Sequence, residues 1–197
     1  MNPYEINYDE LPNSLSQKAS MGLILALVLL TAAGVLAVEW FVRLQPGKRR
    51  MAIAAVAAAL GVYLCGYVWL TILCREPKPD QTCCLIPFES YRYAFDGLRV
   101  EHLSTWRQII LNYLLYIPPG LLLPCLLRLC GASHPWRKSA LIALCLTVLT
   151  ELTQFLTKRG MCEADDLINN MLGFVVGLGI YAVLCRLLNL RAKQNGG

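Results

Sequence analysis

Five long runs of apolar residues dominate the chain, and short polar segments separate them. The runs cover approximately residues 19–42, 51–74, 108–129, 139–156 and 167–188. At about 1.5 Å of rise per residue, helices of this length suit a hydrocarbon core about 30 Å thick. The pattern therefore predicts an all-α fold, a polytopic membrane helical bundle with about five transmembrane helices.

The fourth and fifth runs each carry one stripe of polar or small residues. The stripes, spaced i, i+4, i+7 and i+11, consist of Thr147, Glu151, Gln154 and Lys158 on the fourth run, and Asp166, Asn170, Gly173 and Gly177 on the fifth. This spacing places residues on one face of a helix. Intramembrane polar residues usually face a bundle interior or a wet cavity, where they form a functional site or simply hold helices together. Both interpretations stay open, and the two glycines predict close approach of another helix.

The third run contains Pro118-Pro119-Gly120 at its middle. Each proline lacks a backbone donor and clashes with the preceding turn, so a sharp kink or a broken helix is expected. The freed carbonyls must then be satisfied by neighbouring groups or by a water-lined cavity. Asn112 lies on the same face as Gln108 and Tyr116, so it could pair with a polar group of another helix.

The polar stretch 75–107 contains apolar residues at steps of three and four: Leu85, Phe88, Tyr91, Phe95 and Leu98. This spacing predicts a short amphipathic helix on the membrane surface.

Composition and charge agree with a membrane protein and suggest its orientation. The chain of 197 residues is 56% hydrophobic and only 16% charged, with a mean hydropathy of +0.49. Ten Lys and Arg residues fall on the side of the turns after the first and third runs, against eight on the other. This bias predicts a polar N-terminal segment (1–18) outside the cell, a transmembrane domain (19–190) and a cytoplasmic tail (191–197). The net charge of +5 follows from this topology and not from nucleic-acid binding.

Nine cysteines are present without a C-x-x-C pair, and the two histidines lie far apart. No metal site and no cofactor motif are therefore predicted. Cys83, Cys84 and Cys162 fall in segments assigned to the same outer side. A disulfide from Cys162 to either Cys83 or Cys84 stays open.

The outer side gathers acids, amides and arginines, a combination suited to an amphiphile with an anionic head. We predict ligand binding by Arg75, Asn112, Glu151, Gln154, Arg159, Asp165, Asp166 and Asn170. Glu151 and Asp166 are also candidates for a catalytic role, because a carboxylate beside an arginine can act as a general base or simply pair with it. Asp165 or Asp166 could equally be an ordinary helix start.

Several motifs between about Arg75 and Tyr181 resemble the VanZ-like family. They are Arg75, Leu85-Ile-Pro-Phe88, the stretch from Asn112 to Gly120, Glu151-x-x-Gln154, Arg159, Asp165-Asp166 and Asn170-x-x-Gly173-x-x-x-Gly177. Pro119 departs from the family pattern, in which a plain apolar residue is expected. The resemblance implies a small multi-spanning bacterial membrane protein, in a family whose prototype is associated with resistance to the glycopeptide teicoplanin.

Two functions follow as expectations. The first is binding of a membrane lipid or lipid-linked cell-wall precursor without catalysis. The second is a membrane-embedded hydrolase or transferase that acts on a lipid headgroup, although no nucleophile, metal or nucleotide motif supports it. Lipid transport is a weaker third expectation, because no internal repeat is visible. The sequence does not indicate an oligomeric state.

Overall fold

The structure is a computed structural model that describes residues 21–79, 83–95 and 100–194. The predicted N-terminal segment (1–18), Leu98 of the predicted amphipathic stretch and the last three residues lie outside these ranges. Six helices are described: α1 (Met21–Leu44), α2 (Arg49–Val68), α3 (Glu89–Phe95), α4 (Val100–Leu129), α5 (Pro135–Leu156) and α6 (Ala164–Gln194). A 3-10 turn (Pro46–Lys48) precedes α2, and a π-helical turn (Trp69–Leu73) continues it.

All the helices except α3 are long and apolar enough to cross a membrane. The candidate spans are Met21–Leu44, Pro46–Leu73, Thr105–Leu129, Pro135–Leu156 and Ala164–Asn189. The prediction of a polytopic helical bundle with about five spans is therefore confirmed. These spans suit lipid because they are long and apolar, and because a helix forms its backbone hydrogen bonds internally.

Helix α4 is the centre of the bundle. The other five described helices all pack against it, and its contact with α6 is the most extensive. In its most apolar window 78% of the residues are buried, whereas the other four spans have 17–33%. Those four helices turn many large apolar side chains outward, as helices facing lipid do.

Glycines bring α4 and α6 into backbone contact. A Cβ atom on Gly173 would collide with the backbone carbonyl of Tyr113, and one on Gly177 with that of Ile117. A Cβ atom on Gly120 would likewise meet the carbonyl of Phe174. The close approach predicted from the glycine spacing therefore occurs, and its partner is α4.

The predicted break of the third span is wrong, because α4 is helical from Val100 to Leu129 with Pro118, Pro119 and Pro124 inside it. Pro119 cannot donate to the carbonyl of Leu115, four residues earlier. The hydroxyl of Tyr63 on α2 donates to that carbonyl instead. A side chain of a neighbouring helix thus replaces the missing backbone donor.

At one end of the bundle, a short pair of parallel strands joins the segment between α2 and α3 to the segment between α5 and α6. Strand β1 (Cys83–Cys84) pairs with β2 (Cys162–Glu163), with Cys83 opposite Cys162 and Cys84 opposite Glu163. Helix α3 follows β1 and is the helical part of the predicted amphipathic stretch. Phe88 and Phe95 at its two ends keep most of their surface exposed.

Candidate functional site

A group of polar side chains, most of them buried, lies where α5 leads into α6. We call this group the polar cluster: Arg75, Asn112, Glu151, Gln154, Glu163, Asp165, Asp166, Asn169 and Asn170. Three helices supply most of it, α4 with one residue, α5 with two and α6 with four. Every one of these seven is less than 9% exposed. The predicted polar stripes therefore face the bundle interior, except for Lys158, which is exposed beyond the end of α5.

The two adjacent aspartates at the start of α6 bind different elements. Asp166 accepts a hydrogen bond from Nδ2 of Asn112 at 2.5 Å. Asp165 accepts from the backbone N–H groups of Phe88 at 2.5 Å and Ser90 at 2.7 Å. Phe88 has a φ of 65°, a strained value for a residue with a side chain. Asp165 therefore holds the start of α3 against the bundle.

Two glutamates meet beside these aspartates. The backbone N–H of Glu163 donates to Oε2 of Glu151 at 3.4 Å, and Ser90 Oγ donates to Glu163 Oε2 at 3.3 Å. Glu163 lies just before α6, and burial together with the negative charge of Asp166 raises its pKa to about 8. Glu163 therefore keeps its proton to a higher pH than an ordinary glutamate does.

Arg75 supplies positive charge to the polar cluster. Its guanidinium group interacts electrostatically with both Glu151 and Asp166. Gly160 makes room for it, because a Cβ atom there would lie 2.9 Å from Nη1 of Arg75. Burial and the charge of Arg75 lower the pKa of Lys78, the next cation along the chain.

Three buried polar atoms of the cluster have no hydrogen-bond partner among the described residues. They are Nε of Arg75, Nδ2 of Asn169 and Oε1 of Gln154. A buried polar atom without a partner is costly, and ordered water or a bound ligand can supply the partner. Two of the three atoms are donors, so a ligand bound here would meet them with acceptor atoms.

The remaining predicted site residues make defined structural contacts. Gln154 Nε2 donates to the carbonyl of Thr71 at 3.0 Å, and Asn170 Nδ2 donates to Thr147 Oγ1 at 2.8 Å. Arg159 Nη1 donates to the carbonyls of Ile72 at 3.2 Å and Leu73 at 3.1 Å. Arg159 thus binds the end of the π-helical turn after α2, beside the polar cluster and not in it.

Tyrosines extend the hydrogen-bond network and were missed by the sequence analysis as site residues. Tyr91 donates to Oδ1 of Asn169, and its hydroxyl lies 2.7 Å from that of Tyr113. Tyr67 donates to Thr150 Oγ1 at 2.9 Å and lies at the same distance from the hydroxyl of Tyr116. Among these tyrosines, only Tyr116 could be linked to the site from the sequence, because it shares a helix face with Asn112.

A second buried ionic group lies roughly 20 Å further along α6 from the polar cluster, at 1.5 Å per residue. Glu39 of α1 is fully buried and forms an ion pair with Arg128 of α4. Tyr181 of α6 donates to Glu39 Oε1 at 2.7 Å, and Cys125 Sγ does so at 3.6 Å. This ionic group joins three helices. The sequence gives no sign of this ionic group, because Glu39 stands near the end of an apolar run.

No three His, Cys, Asp or Glu residues in the described part of the chain are arranged to hold a metal ion. Instead, the side chain of Asn112 and several backbone N–H groups donate hydrogen bonds to the acids of the polar cluster. The arrangement can therefore bind a polar headgroup or move a proton between carboxyl groups.

Comparison with known proteins gives one match. A protein-family model described as VanZ/LLP1 matches residues 51–186. The matched part contains the whole polar cluster and leaves out α1, which carries Glu39. Neither the curated proteins nor the solved structures gave a match.

Proposed function

Because the chain belongs to the VanZ/LLP1 family, we propose that it is a cell-envelope membrane protein whose polar cluster binds an anionic headgroup. The ligand class is a membrane lipid or a lipid-linked cell-wall precursor. The observation that carries this proposal is the pair of unpartnered buried donors, Nε of Arg75 and Nδ2 of Asn169. A phosphate oxygen accepts from such donors, and arginine suits phosphate through its planar set of N–H groups.

The four acids of the cluster do not forbid an anionic ligand. Asp165 already accepts from two backbone N–H groups, and Asp166 accepts from Asn112. Glu163, with a pKa of about 8, carries less than a full charge near neutral pH. Arg75 offsets part of the charge that remains on Glu151 and Asp166. A headgroup that combines phosphate with a cationic or hydroxyl group matches this mixed lining best.

Lipids that co-purify with the protein test the binding proposal. We would purify the wild type and Arg75→Gln from native membranes and identify bound lipids by mass spectrometry. The matched control is Arg92→Gln, because Arg92 lies on α3 with its side chain 74% exposed. A lipid-linked precursor or a specific phospholipid should be enriched in the wild type and the control, and reduced at least about tenfold in Arg75→Gln. Equal lipid content in all three would overturn the proposal.

Association with glycopeptide resistance is the physiological part of the proposal. A protein that binds a cell-wall precursor at the membrane surface changes how accessible that precursor is to teicoplanin. Glu151→Gln and Asp166→Asn should each lower the minimal inhibitory concentration toward that of cells lacking the protein, at equal membrane expression. Full resistance in both variants would contradict a role of the polar cluster.

The alternative function is a hydrolase or transferase acting on a lipid headgroup. The proximity of Glu151 and Glu163 favours it, because two interacting carboxyl groups can divide acid and base roles. Incubating the co-purified lipid with the wild type and with Glu163→Gln would decide it. A product that forms only with the wild type supports catalysis, and unchanged lipid in both supports binding alone.

We also propose that the N-terminus lies outside the cell and the C-terminus in the cytoplasm. The count of Lys and Arg supports this orientation, with ten residues on the cytoplasmic side against eight. In a variant without other cysteines, a membrane-impermeant maleimide should label a cysteine at the exposed position Glu76 and not one at the equally exposed Gly47. The reverse labelling pattern would exclude this orientation.

A further inference from the structure

The two short strands place two cysteines directly opposite each other. In the parallel pair of β1 and β2, Cys83 is the partner of Cys162. Neighbouring strands lie about 4.8 Å apart, and disulfide-bonded cysteines have Cα atoms about 4.4–6.8 Å apart. The side chains of Cys83 and Cys162 are also within hydrogen-bonding reach of each other. The backbone therefore meets the main geometric requirement for a disulfide bond.

We propose that Cys83 and Cys162 are a redox pair that closes to a disulfide by exchange with an external protein or small-molecule disulfide. The strand register selects Cys83 over Cys84. Successive side chains of a strand point to opposite faces, so Cys84 faces away from the pair. Cys84 is 6% exposed, and its partner across the strands is Glu163.

The exchange proceeds in two steps. The Cys83 thiolate attacks the external disulfide, so that a mixed disulfide forms and one external thiolate leaves. The Cys162 thiolate then attacks Sγ of Cys83, which forms the internal bond and releases the second external thiolate. The two protons of the cysteines pass to the two released thiolates. Two cysteines are thus oxidised, and one external disulfide is reduced to two thiols.

The surroundings of the two thiols assign the first step to Cys83. Cys83 is exposed, whereas Cys162 is partly buried. Burial, together with the hydrogen bond to Cys83, raises the pKa of Cys162 to about 11. A thiol with a raised pKa is a poor partner for a bulky external disulfide. Cys162 can still complete the second step, because its target is already in contact.

The disulfide would connect the segment before α3 to the segment before α6, next to the polar cluster. Cys83 lies in the segment that leads to α3, and Cys162 lies next to Glu163, whose backbone binds Glu151. Disulfides persist in oxidising compartments and are rare in the cytosol. The inference therefore requires this end of the bundle to lie outside the cytoplasm, as the positive-charge count predicts.

The test traps the thiols in living cells. Free thiols are blocked with N-ethylmaleimide at harvest, and the purified protein is reduced and treated with a polyethylene-glycol maleimide that shifts it on a gel. We expect two reduction-dependent additions in the wild type and in Cys84→Ser, and none in Cys83→Ser or Cys162→Ser. Cys145→Ser, which removes an exposed thiol of α5, is a second control that should keep both additions.

Peptide mapping identifies the bond independently of the variants. The unreduced wild type should yield one peptide pair that links Cys83 to Cys162 and separates on reduction. Absence of this pair, or a link that appears only after an oxidant is added to purified protein, would overturn the proposal. A link from Cys162 to Cys84 would overturn the assignment made from the strand register.

Discussion

The hydroxyl of Tyr63 donates a hydrogen bond to the carbonyl of Leu115, the acceptor that Pro119 leaves without its helical partner. Tyr63 lies on α2, and Leu115 lies on α4, at the buried centre of the bundle. A helix in lipid has no water to satisfy a free carbonyl. One phenol therefore lets α4 keep a proline where it is most deeply buried.

Replacing Tyr63 with phenylalanine should destabilise the protein modestly. The change leaves the Leu115 carbonyl without a donor, which costs about 1–3 kcal/mol when the carbonyl is buried. Interhelical hydrogen bonds in membranes average nearer 0.6 kcal/mol. We therefore expect a loss of about 1 kcal/mol, or about 2–4 °C in the Tm measured in detergent.

Pro119→Ala supplies the control for this prediction. Alanine has a backbone N–H that can donate to Leu115, so Tyr63→Phe should cost less in the Pro119→Ala background. Equal effects in both backgrounds would show that the hydroxyl stabilises the protein in another way.

Alanine at Gly173 should disrupt the contact between α4 and α6. Its Cβ atom would collide with the carbonyl of Tyr113, a backbone atom that cannot move aside alone. Overpacking typically costs about 1–3 kcal/mol, and a backbone collision belongs at the upper end. Membrane-inserted protein should fall markedly, and the Tm of the remainder should drop by at least about 5 °C.

Gly179→Ala is the matched change on the same helix. A Cβ atom there meets nothing within 4 Å, and alanine favours a helix over glycine. We expect an unchanged or slightly higher Tm. If both alanine variants behave alike, the close approach of the helices does not limit stability.

Asp165→Ala should release the start of α3 from the bundle. The change removes the acceptor of two backbone N–H groups, one of which belongs to Phe88 at its positive φ. Limited proteolysis of intact membranes should cleave next to α3 faster by at least about tenfold. Asp165→Asn keeps an acceptor oxygen, and its cleavage rate should lie between those of the wild type and Asp165→Ala. Identical cleavage in all three would show that Asp165 does not hold the start of α3.

Stability should depend on pH through Glu163. Its folded pKa of about 8 lies above the ordinary value of 4.5, so the folded protein binds the proton more tightly. The stabilisation is full below pH about 4.5 and is lost as the pH rises through about 8. Between about pH 5 and 9, the Tm of the wild type should fall more than that of Glu163→Gln, which cannot ionise.

Glu76→Gln removes an exposed carboxyl group and should leave the pH profile as it is in the wild type. Parallel profiles for the wild type and Glu163→Gln would show that Glu163 ionises freely in the folded protein.

The spans and their facing polar stripes could be predicted because both depend on local patterns. A run of about 20 apolar residues identifies a span by length alone. Residues four apart share a helix face, so Glu151 and Asp166 could be assigned to buried stripes before any packing was known. The contact of Gly173 and Gly177 with another helix followed from their spacing in the same way.

The features that the sequence did not predict depend on contacts between distant residues. The continuity of α4 relies on Tyr63, which is 52 residues away from Leu115. Arg159 was predicted to bind a ligand, and nothing in the sequence indicated that its Nη1 also donates to the carbonyls of Ile72 and Leu73, 87 and 86 residues earlier. The choice between Cys83 and Cys84 needed the strand register, which two-residue strands do not reveal in a sequence.

The ion pair of Glu39 and Arg128 has a consequence for how the protein is made. Glu39 leaves the ribosome 89 residues before Arg128, so α1 enters the membrane with its carboxyl group still unmatched. An acidic group costs most at the centre of a membrane helix, and Glu39 lies five residues from the end of α1, so α1 can enter the membrane before its partner exists. The ion pair then forms only when α4 has been made, and it fixes α1 against a helix that is synthesised much later.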